Sequence, residues 1–428
     1  MLAARVAARV AGQVAPASGS KLWRSLAARS GLSERVAAAS RAVRRPGRPL
    51  VWMHAPSVGE GLQARPVAHR LRALHPEVQL AYTFFSPSAE QFAPSIGADI
   101  TDYLPFDGQR EADAMLDALQ PSLLVFVKLD VWPMLVERAT VRNIPVALLS
   151  ATLAAGSGRT GALARLLLQD AYSALQGVGA IDRLNADRLV ALGVRPDVLE
   201  VTGDTRFDQV WERAQGLDRA QPMLQALASA RPTLVAGSTW PADEAVLLPA
   251  FAALTRTLPD DTRPRLVIAP HEPTAAHVTP ILEWARGAGL TAVTLATALS
   301  DIATARSDVI VVDRVGVLGD IYSLASVAFV GGGFHGAGLH SVIEPAAFAV
   351  PVLFGPHHDM SREAGLLLAA GGARVVHDAV EGTAALAAWL EKFEPRAAAG
   401  NAAHALVLRE LGATERSVSL VQRLLRTF

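Results

Sequence analysis

Residues 326–350 read SVAFVGGGFHGAGLHSVIEPAAFAV, which predicts a buried strand, a glycine-rich loop and the first turns of a helix. Glycine occupies positions 331, 332, 333, 336 and 338 of this loop. Glycine permits backbone conformations that other residues resist, and it lets a ligand come close to the main chain. A strand, a glycine loop and a helix in this order direct amide N–H groups toward an anion. The stretch therefore predicts a binding site for a phosphate-bearing ligand.

Apolar runs and helical patterns alternate along the rest of the chain. Buried strands are predicted first at 49–56, 78–85, 122–130, 144–152, 177–183 and 199–203. After a restart they are predicted at 231–239, 264–273, 308–316, 326–333 and 350–356. This alternation is typical of parallel sheets with helices on both faces.

We therefore predict two doubly wound, Rossmann-like α/β domains that face each other across a cleft, where ligands of such folds bind. The boundary is expected near residues 208–230, and the last helix, within 418–428, is expected to cross back onto the first half. The predicted division is a basic segment at 1–48, a first domain at 49–208 and a second domain at 209–428.

The composition excludes several classes of function. With 51% hydrophobic residues, the 428-residue chain can form large cores. The chain has no cysteine, which excludes disulfides, thiolate zinc sites and cysteine nucleophiles. It has no apolar run long enough for a transmembrane helix, no Walker A loop, no dinucleotide fingerprint and no serine-hydrolase elbow. The histidines lack zinc spacing, so we expect no metal ligands.

Charge is distributed unevenly although the formal net charge is zero. Residues 1–48 contain ten basic side chains and one acidic side chain, and the acidic remainder makes nucleic acid an unsuitable main partner. The basic segment has apolar neighbours and fits an anionic membrane surface. A solvated Ala/Arg helix explains it equally well, and an Arg-rich, acid-poor start also imitates a transit peptide.

Three charged residues lie at or just after the ends of predicted strands in the first half. Glu60 opens the helix behind the first strand, where it either complements the helix dipole or acts as a general base. Lys128 and Asp130 end the run at 122–130. Because they are two residues apart, we expect them on the same side of an extended strand. They form either a mutual ion pair or a site that orients an acceptor.

Polar residues also follow the strands of the second half. Ser238 and Thr239 lie between a strand and a helix, a position that suits a helix N-cap, an anion site, or both. His271 and Glu272 follow the next strand, where a protonated imidazole can contact a phosphate.

The remaining candidates lie nearer the glycine loop. The backbone before the helix at 318 is expected to contact a base ring, through Val315, Gly316, Val317 and Leu318. His340 follows the loop, and Glu344 lies one helical turn further on, where its carboxylate can accept two hydroxyl groups of a ribose.

In its sequence motifs the chain resembles a known family. The motifs HAPSVGE, DVWP, VTGDTRFD, AGSTWPADE, DRVGVLGDIYSLASVAFVGGGF and GLHSVIEPAAFAVPVLFGPH occur in order over about residues 50–425. Together they are similar to those of the 3-deoxy-D-manno-octulosonic acid (Kdo) transferases. This resemblance implies the GT-B fold and an inverting transfer of Kdo from CMP-Kdo to a lipid A precursor, in lipopolysaccharide biosynthesis.

The resemblance also implies roles for individual residues. Glu60 corresponds to the catalytic base of the family's SVGE motif. The CMP-binding motif corresponds to residues 338–344, which include Gly338, His340, Ser341 and Glu344. Other matching donor positions are Ser238, Thr239 and Arg206.

The resemblance implies no cofactor, with CMP-Kdo as donor substrate, a lipid A precursor as acceptor, and a peripheral position on the cytoplasmic face of the bacterial inner membrane. Lys128 stands where the family usually has an acidic residue, and His271 and Glu272 stand in its arginine-containing motif. These departures leave two alternatives, a GT-B transferase that uses another nucleotide sugar and an inactive relative that binds lipid.

Overall fold

The computed structural model describes residues 21–154, 156–259, 263–301, 303–336 and 338–426. The chain divides into two compact units. The first consists of the chain up to residue 209 together with residues from 410 onward, and the second consists of residues 210–409. Residues 1–20 of the predicted basic segment lie outside the described residues.

The first unit is built on a parallel sheet that contains seven strands among the described residues, in the order β3-β2-β1-β4-β5-β6-β7. Every residue of the central strands β1, β2, β4 and β5 is buried, as the long apolar runs predict. The strands are β1 Leu50–His54, β2 Gln79–Phe84, β3 Ile100–Tyr103, β4 Leu123–Val127, β5 Val146–Ala151, β6 Gly177–Ala180 and β7 Leu199–Val201.

Helices follow most of these strands. They are α1 Lys21–Ala28, α2 Leu32–Val43, α3 Val58–Leu74, α4 Gln109–Leu119, α5 Pro133–Val141, α6 Ala162–Ser173, α7 Arg183–Leu192 and α8 Thr205–Gln215, which continues into the second unit. Proline is favoured at the first position of a helix because its missing N–H has no partner there anyway. Pro133 starts α5 in this way.

Helices α1 and α2 cover most of the described part of the predicted basic segment. The Arg29 guanidinium is buried, donates to the carbonyls of Leu104 and Phe85, and lies 3.9 Å from the Phe85 ring centroid. Arg44 donates to four backbone carbonyls and to a glutamine side chain. Arg35 pairs with Asp102 at 3.1 Å. These three arginines are thus bound within the first unit.

The last helix, α18 (Ala413–Arg426), belongs to the first unit. The Asp208 carboxylate accepts hydrogen bonds from the amides of Gly412 and Thr414 and so fixes the start of this helix. Leu420 of α18 packs on β6, where Gly177 makes the contact possible, because a Cβ at 177 would lie 2.8 Å from a Leu420 methyl group.

The second unit repeats the plan with another parallel sheet, whose seven strands among the described residues run in the order β10-β11-β9-β8-β12-β13-β14. The strands are β8 Thr233–Thr239, β9 Arg265–Pro270, β10 Ala292–Thr294, β11 Val309–Val311, β12 Val327–Val330, β13 Val352–Phe354 and β14 Ala373–Val375. Leu234 and Ala236 pack into one hydrophobic cluster and Val235 into another, so both faces of this sheet are covered.

The helices of the second unit are α9 Pro222–Leu227, α10 Pro241–Thr257, α11 Ala275–Gly287, α12 Leu295–Ser300, α13 Leu318–Ile321, α14 Ile343–Ala347, α15 Arg362–Ala370, α16 Ala379–Leu390 and α17 Phe393–Glu410. The predicted class of two doubly wound parallel sheets is confirmed. In the part of the chain that the structure describes, no helix combines the length and the apolar character that crossing a bilayer requires.

Candidate active site

Glu60 lies in the first turn of α3, directly after the carboxyl end of β1. Its carboxylate accepts a hydrogen bond from the Ser57 hydroxyl and forms an ion pair with Lys128, with 2.8 Å between Oε1 and Nζ. Burial alone would raise the pKa of Glu60, but these hydrogen bonds and the Lys128 charge together lower it. Glu60 is therefore a carboxylate at neutral pH, and 14% of its side chain is exposed to solvent.

Lys128 does not lie on an extended strand, which corrects the prediction that it shares a strand face with Asp130. Strand β4 ends at Val127, and Lys128 has φ of 71°, in the left-handed region that non-glycine residues rarely adopt. Its amide donates to the Leu149 carbonyl at 2.8 Å, which holds the turn in place. The turn presents the Lys128 side chain to Glu60.

Asp130 is bound by a different set of partners. Its Oδ2 accepts from Trp132 Nε1 at 2.9 Å and lies 3.3 Å from Nε2 of the fully buried His54. Arg159 adds a third contact at 3.8 Å. Burial raises the pKa of Asp130, but its His54 and Trp132 contacts and the nearby charges lower it overall. His54 was not predicted, although it is a polar residue at the end of an otherwise apolar run.

In the second unit, the glycines after β12 serve close backbone packing. A Cβ at Gly331 would collide with the backbone at Ser238, one at Gly332 with the carbonyl of Gly338, and one at Gly333 with the backbone of Gly355. No atom lies within 4 Å of the Cβ position of Gly336. The first three glycines are therefore needed by the fold itself, whether or not a ligand is bound.

Asp243 occupies the amide groups that we predicted for the anion. Its carboxylate is fully buried and accepts from the amides of Gly332, Phe334 and Trp240 at 2.8, 3.0 and 2.9 Å. The amides of Gly331, His335, Gly338 and His340 donate to backbone carbonyls. Six of these seven amides belong to the glycine loop, so the prediction that the loop presents its amides to an anion is wrong for those six.

Ser238 and Thr239 do not cap α10, which corrects another prediction. The helix begins at Pro241 with Trp240 as N-cap, and Asp243 supplies the capping carboxylate. The Thr239 hydroxyl donates to Glu244 at 2.8 Å, and Ser238 takes a left-handed φ of 54°. The signal missed in the sequence was Pro241, because proline is favoured at the first position of a helix.

Four aromatic rings form what we call the Trp–His stack. Trp240 is nearly parallel to His335, at 4.2 Å and 6°, and stacks on His271 at 4.4 Å. His271 stacks on His340 at 4.7 Å, and Trp240 Nε1 donates to His340 Nε2 at 3.3 Å. The structure thus brings together the predicted His271 and His340, and adds Trp240 and His335, which the sequence analysis missed.

Helix α13 and the residue after it pack against the end of β8. Gly237 allows the Tyr322 hydroxyl and a Leu318 methyl group to lie against the strand, because a Cβ there would collide with both. The Val315 side chain is exposed and Gly316 has a φ of 88°. Of the predicted base-ring contacts, Val317 is the N-cap of α13 and Leu318 begins the helix.

Glu344 lies in the short helix α14 and is partly buried. Burial raises the pKa of its carboxyl group, although the charge of Arg213 opposes this effect. Arg213 pairs with Asp320 at 3.0 Å. Ser341, which lies two residues before the start of α14, is exposed. Glu344 thus remains more readily protonated than a surface glutamate.

Arg206, predicted to contact the donor, lies in the first unit at the start of α8. Its guanidinium is paired with the fully buried Asp204, with 2.6 Å between Nη2 and Oδ2. Asp204 also accepts from Gln63 at 3.1 Å. Any interaction of Arg206 with a donor must therefore compete with this ion pair. Across the described residues, no group of three or more histidine or acidic side chains is arranged to hold a metal ion.

Two parallel α/β units of this kind define the GT-B class of protein, and comparison with solved structures agrees. The chain is similar to the UDP-GlcNAc 2-epimerase from Neisseria meningitidis, with a TM-score of 0.61 and 15% sequence identity. The match covers 87% of this chain and 100% of that chain. At this identity the likeness establishes the fold alone, and the predicted GT-B architecture is confirmed.

Within that class, the sequence points to one family. Residues 29–209 match the family model described as 3-Deoxy-D-manno-octulosonic-acid transferase (kdotransferase). The chain is 26% identical over 378 residues to the 3-deoxy-D-manno-octulosonic acid transferase of Haemophilus influenzae, covering 87% of this chain and 86% of the relative. It is 29% identical over 381 residues to the enzyme of that name from Bordetella pertussis, with the same coverage. The resemblance to the Kdo transferases is confirmed.

Proposed function

We propose that the protein is an inverting glycosyltransferase that transfers Kdo from CMP-Kdo to a lipid A precursor in lipopolysaccharide biosynthesis. The observation that carries the proposal is the Glu60 carboxylate, held by Ser57 and Lys128 at the end of β1, in a chain similar to Kdo transferases over most of its length. A carboxylate that is charged at neutral pH and partly open to solvent is suited to accept a proton.

The reaction is a single displacement. Glu60 takes the proton of an acceptor hydroxyl, and the hydroxyl oxygen forms a bond to the anomeric carbon of the sugar. The bond from that carbon to the phosphate oxygen breaks on the opposite face, and CMP leaves with the bonding electrons. Oε1 and Oε2 of Glu60 accept one hydrogen bond each, from Lys128 and Ser57, and each oxygen keeps a second lone pair, so the acceptor hydroxyl can donate to the carboxylate without displacing either donor.

The donor is assigned to the second unit, where Ser238, His271, His340 and residues 315–318 are candidates for contacting it. Glu344 is assigned to the ribose hydroxyls. Its raised pKa suits this role, because a carboxyl group that protonates readily can both donate and accept a hydrogen bond.

An exposed apolar and basic surface on the first unit supports a peripheral position on the cytoplasmic face of the inner membrane. Leu166 and Leu167 on α6 are 72% and 67% exposed, and Leu184 on α7 is 57% exposed. Arg165 lies beside the two α6 leucines and is also exposed. A helix with exposed leucines and arginines suits a surface of anionic lipid.

The membrane assignment is tested by co-sedimentation with vesicles that contain anionic lipid. The double variant Leu166→Ser/Leu167→Ser is expected to reduce binding at least about fivefold, because two apolar side chains no longer enter the interface. Leu408→Ser, at an exposed leucine of the second unit, is the matched control. Unchanged binding of the double variant would remove this surface from the proposal.

The activity is tested by incubating the full chain with CMP-Kdo and a lipid A precursor and following the products by mass spectrometry. A lipid product heavier by one or more Kdo residues, with an equal amount of CMP, is the expected result. CMP release without a lipid product would mean hydrolysis or a different acceptor. No turnover together with intact vesicle binding would favour the inactive, lipid-binding alternative.

A second candidate function is transfer from another nucleotide sugar. The motivating observation is that His271 and Glu272 are exposed after β9, where the resembling family has an arginine-containing motif. A thermal-shift comparison of CMP, UDP and GDP separates the two candidates. Stabilisation by UDP or GDP but not by CMP would favour the second.

A further inference from the structure

A line of buried polar side chains in the first unit ends at Asp130. Trp52 and His54 lie two residues apart on β1, so both point to the same face of the sheet. Thr83 lies directly beside His54 on the neighbouring strand β2. Trp52 and His54 are fully buried, and Thr83 is 3% exposed. Polar groups at such depth are stable only when their hydrogen bonds are made. We call Trp52, Thr83 and His54 the buried relay.

The hydrogen bonds of the buried relay all run toward Asp130. Trp52 Nε1 can only donate, and it donates to Thr83 Oγ1 at 2.9 Å. Thr83 has one hydroxyl proton, and its other side-chain partner among the described residues is His54 Nδ1, at 3.1 Å. This proton therefore points at Nδ1, and the ring carries its own proton on Nε2. The Nε2–H group donates to Asp130 Oδ2 at 3.3 Å.

The surroundings of His54 hold its ring in one orientation. Phe126 and Trp132 both lie edge-to-face with the imidazole, with ring centroids at 6.1 and 6.0 Å. Hydrogen bonds that run in one direction also polarise one another, so the bond from Thr83 strengthens the bond from His54. The direction from which Asp130 receives its hydrogen bond is therefore fixed by the core of the sheet.

Asp130 is anchored through one of its two carboxylate oxygens. Oδ2 accepts from His54 and from Trp132 Nε1, at 3.3 and 2.9 Å. Oδ1 accepts no hydrogen bond from the residues that the structure describes, and it lies 3.8 Å from the Arg159 guanidinium. The Asp130 side chain is 28% exposed. Oδ1 is thus open to a ligand, whereas Oδ2 is held by the protein.

Asp130 also lies near the candidate base. Strands β1 and β4 are neighbours in the sheet, and Lys128, two residues before Asp130, forms the ion pair with Glu60. Burial raises the pKa of Asp130, but the His54 and Trp132 hydrogen bonds and the nearby charges lower it overall. A charged carboxylate in this place is a strong hydrogen-bond acceptor for a hydroxyl group of a substrate whose reacting oxygen is at Glu60.

Given the proposed function, we infer that Asp130 Oδ1 binds a hydroxyl group of the acceptor and that His54 is the positioning residue that holds this carboxylate through the buried relay. His54 does not contact the acceptor and acts through Asp130. A binding group that is displaced even slightly loses much of its effect on the bound substrate. Loss of the relay should therefore impair use of the acceptor and leave binding of the sugar donor unchanged.

Steady-state kinetics of the full chain with CMP-Kdo and a lipid A precursor separate the two substrates. His54→Leu keeps an apolar side chain of similar size but removes both ring nitrogens, so KM for the acceptor is expected to rise at least about fivefold. KM for CMP-Kdo should stay within about twofold, because the donor is assigned to the second unit. His54→Gln, whose side-chain NH₂ can donate to Asp130, should recover most of the loss. A merely structural role of His54 would change both KM values or neither.

Thr83 tests the buried relay one step further from Asp130. Thr83→Val keeps the shape of the side chain but removes the hydroxyl that donates to His54, so KM for the acceptor is expected to rise about threefold. Thr83→Ser retains the hydroxyl and is the matched control, with the KM of the wild type. Thermal unfolding midpoints identify any variant that has lost its fold, and the Thr83 pair decides the test if His54→Leu does not fold.

Nitrogen NMR of the His54 ring tests the buried relay without any substrate. The ring should show a protonated Nε2 and an unprotonated Nδ1. In Asp130→Asn, the Nε2 proton should lose the shift to low field that a carboxylate partner causes. A proton on Nδ1 instead of Nε2, or an Nε2 proton that does not respond to Asp130→Asn, would overturn the inference.

Failure of the inference and failure of the proposed function give different results. If the wild type is active and His54→Leu folds with the acceptor KM of the wild type, the inference fails and the proposed function stands. If the wild type transfers no sugar to the lipid precursor, the proposed function fails. The NMR result then upholds or overturns the positioning of Asp130 by itself.

Discussion

Both units place carboxyl groups near the carboxyl ends of the strands of a parallel sheet. The partners of these carboxyl groups, and the directions in which their pKa values shift, differ between the two units. In the first unit, Glu60 and Asp130 face Lys128, His54 and Arg159, and the pKa of each carboxyl group is lowered. In the second unit, burial raises the pKa of Glu244 and Glu344, and Asp243 is satisfied by amides instead of cations.

This difference suits different tasks. A carboxylate beside a cation stays charged at neutral pH and can take a proton in a reaction. A carboxylate bound by three backbone amides fixes the main chain around it and is not available to a substrate. The proposed role of Glu60 as a base thus fits its surroundings in the first unit, whereas Asp243 in the second unit serves to shape a loop.

The largest expected effect comes from removing Glu60, the proposed base. Glu60→Gln keeps the size of the side chain but has no carboxylate to accept a proton, so turnover should fall by about 10² to 10⁴. Product formation followed by mass spectrometry measures this effect, and affinity for CMP should stay unchanged. Glu137→Gln, an exposed glutamate on α5, is the control. Turnover within a few-fold of wild type would mean that another group takes the proton.

The next effect tests the structural carboxylate of the second unit. Asp243→Asn retains one accepting oxygen but directs an NH₂ group at backbone N–H donors, so stability should fall by about 2–3 kcal/mol. Urea denaturation measures the loss. Asp378→Asn is the matched control, because Asp378 caps α16 with two amides at an exposed position and should cost about 1 kcal/mol or less. Equal losses in the two variants would remove the special role of Asp243.

The sequence predicted the central strands well and the edges poorly, for a physical reason. The unpredicted strands β3, β10 and β14 lie at sheet edges. An edge strand is covered on fewer sides than a central one, so it needs no continuous apolar run. In β3 the first and last residues are buried, whereas the two middle residues are exposed or partly buried. Such short, mixed segments give no periodic signal that separates them from loops.

The sequence predicted where individual site residues lie along the chain better than it predicted which side chains contact each other. Glu60 and His340 follow strands, and a local pattern is enough to place them there. The Lys128–Glu60 ion pair depends on a left-handed turn at Lys128, which no local pattern of residue types encodes. The contact of Trp240 with His335 joins two strands far apart in sequence and follows only from the order of strands in the sheet.

A smaller effect tests the close packing beside the glycine loop. Gly237→Ala introduces a methyl group against the Tyr322 hydroxyl and a Leu318 methyl group, so it should destabilise the protein by about 1–3 kcal/mol. Gly336→Ala is the matched control, since open space surrounds that position. Urea denaturation of the two variants measures the contrast. Unchanged stability of both variants would show that the Tyr322 and Leu318 side chains can shift at little energetic cost.

The smallest effect concerns the cation of the first unit, and it tests the comparison most directly. Lys128 lowers the pKa of Glu60, so Lys128→Met should raise it. In the proposed reaction Glu60 acts as a carboxylate, so kcat/KM is expected to fall as the pH drops through this pKa. In the variant, the fall should therefore begin at a higher pH. A pH series of kcat/KM measures the shift, with Lys392→Met, an exposed lysine of the second unit, as control. An acid limb that stays in place or moves to lower pH would mean that Lys128 does not set the basicity of Glu60, and that the contrast between the units has another origin.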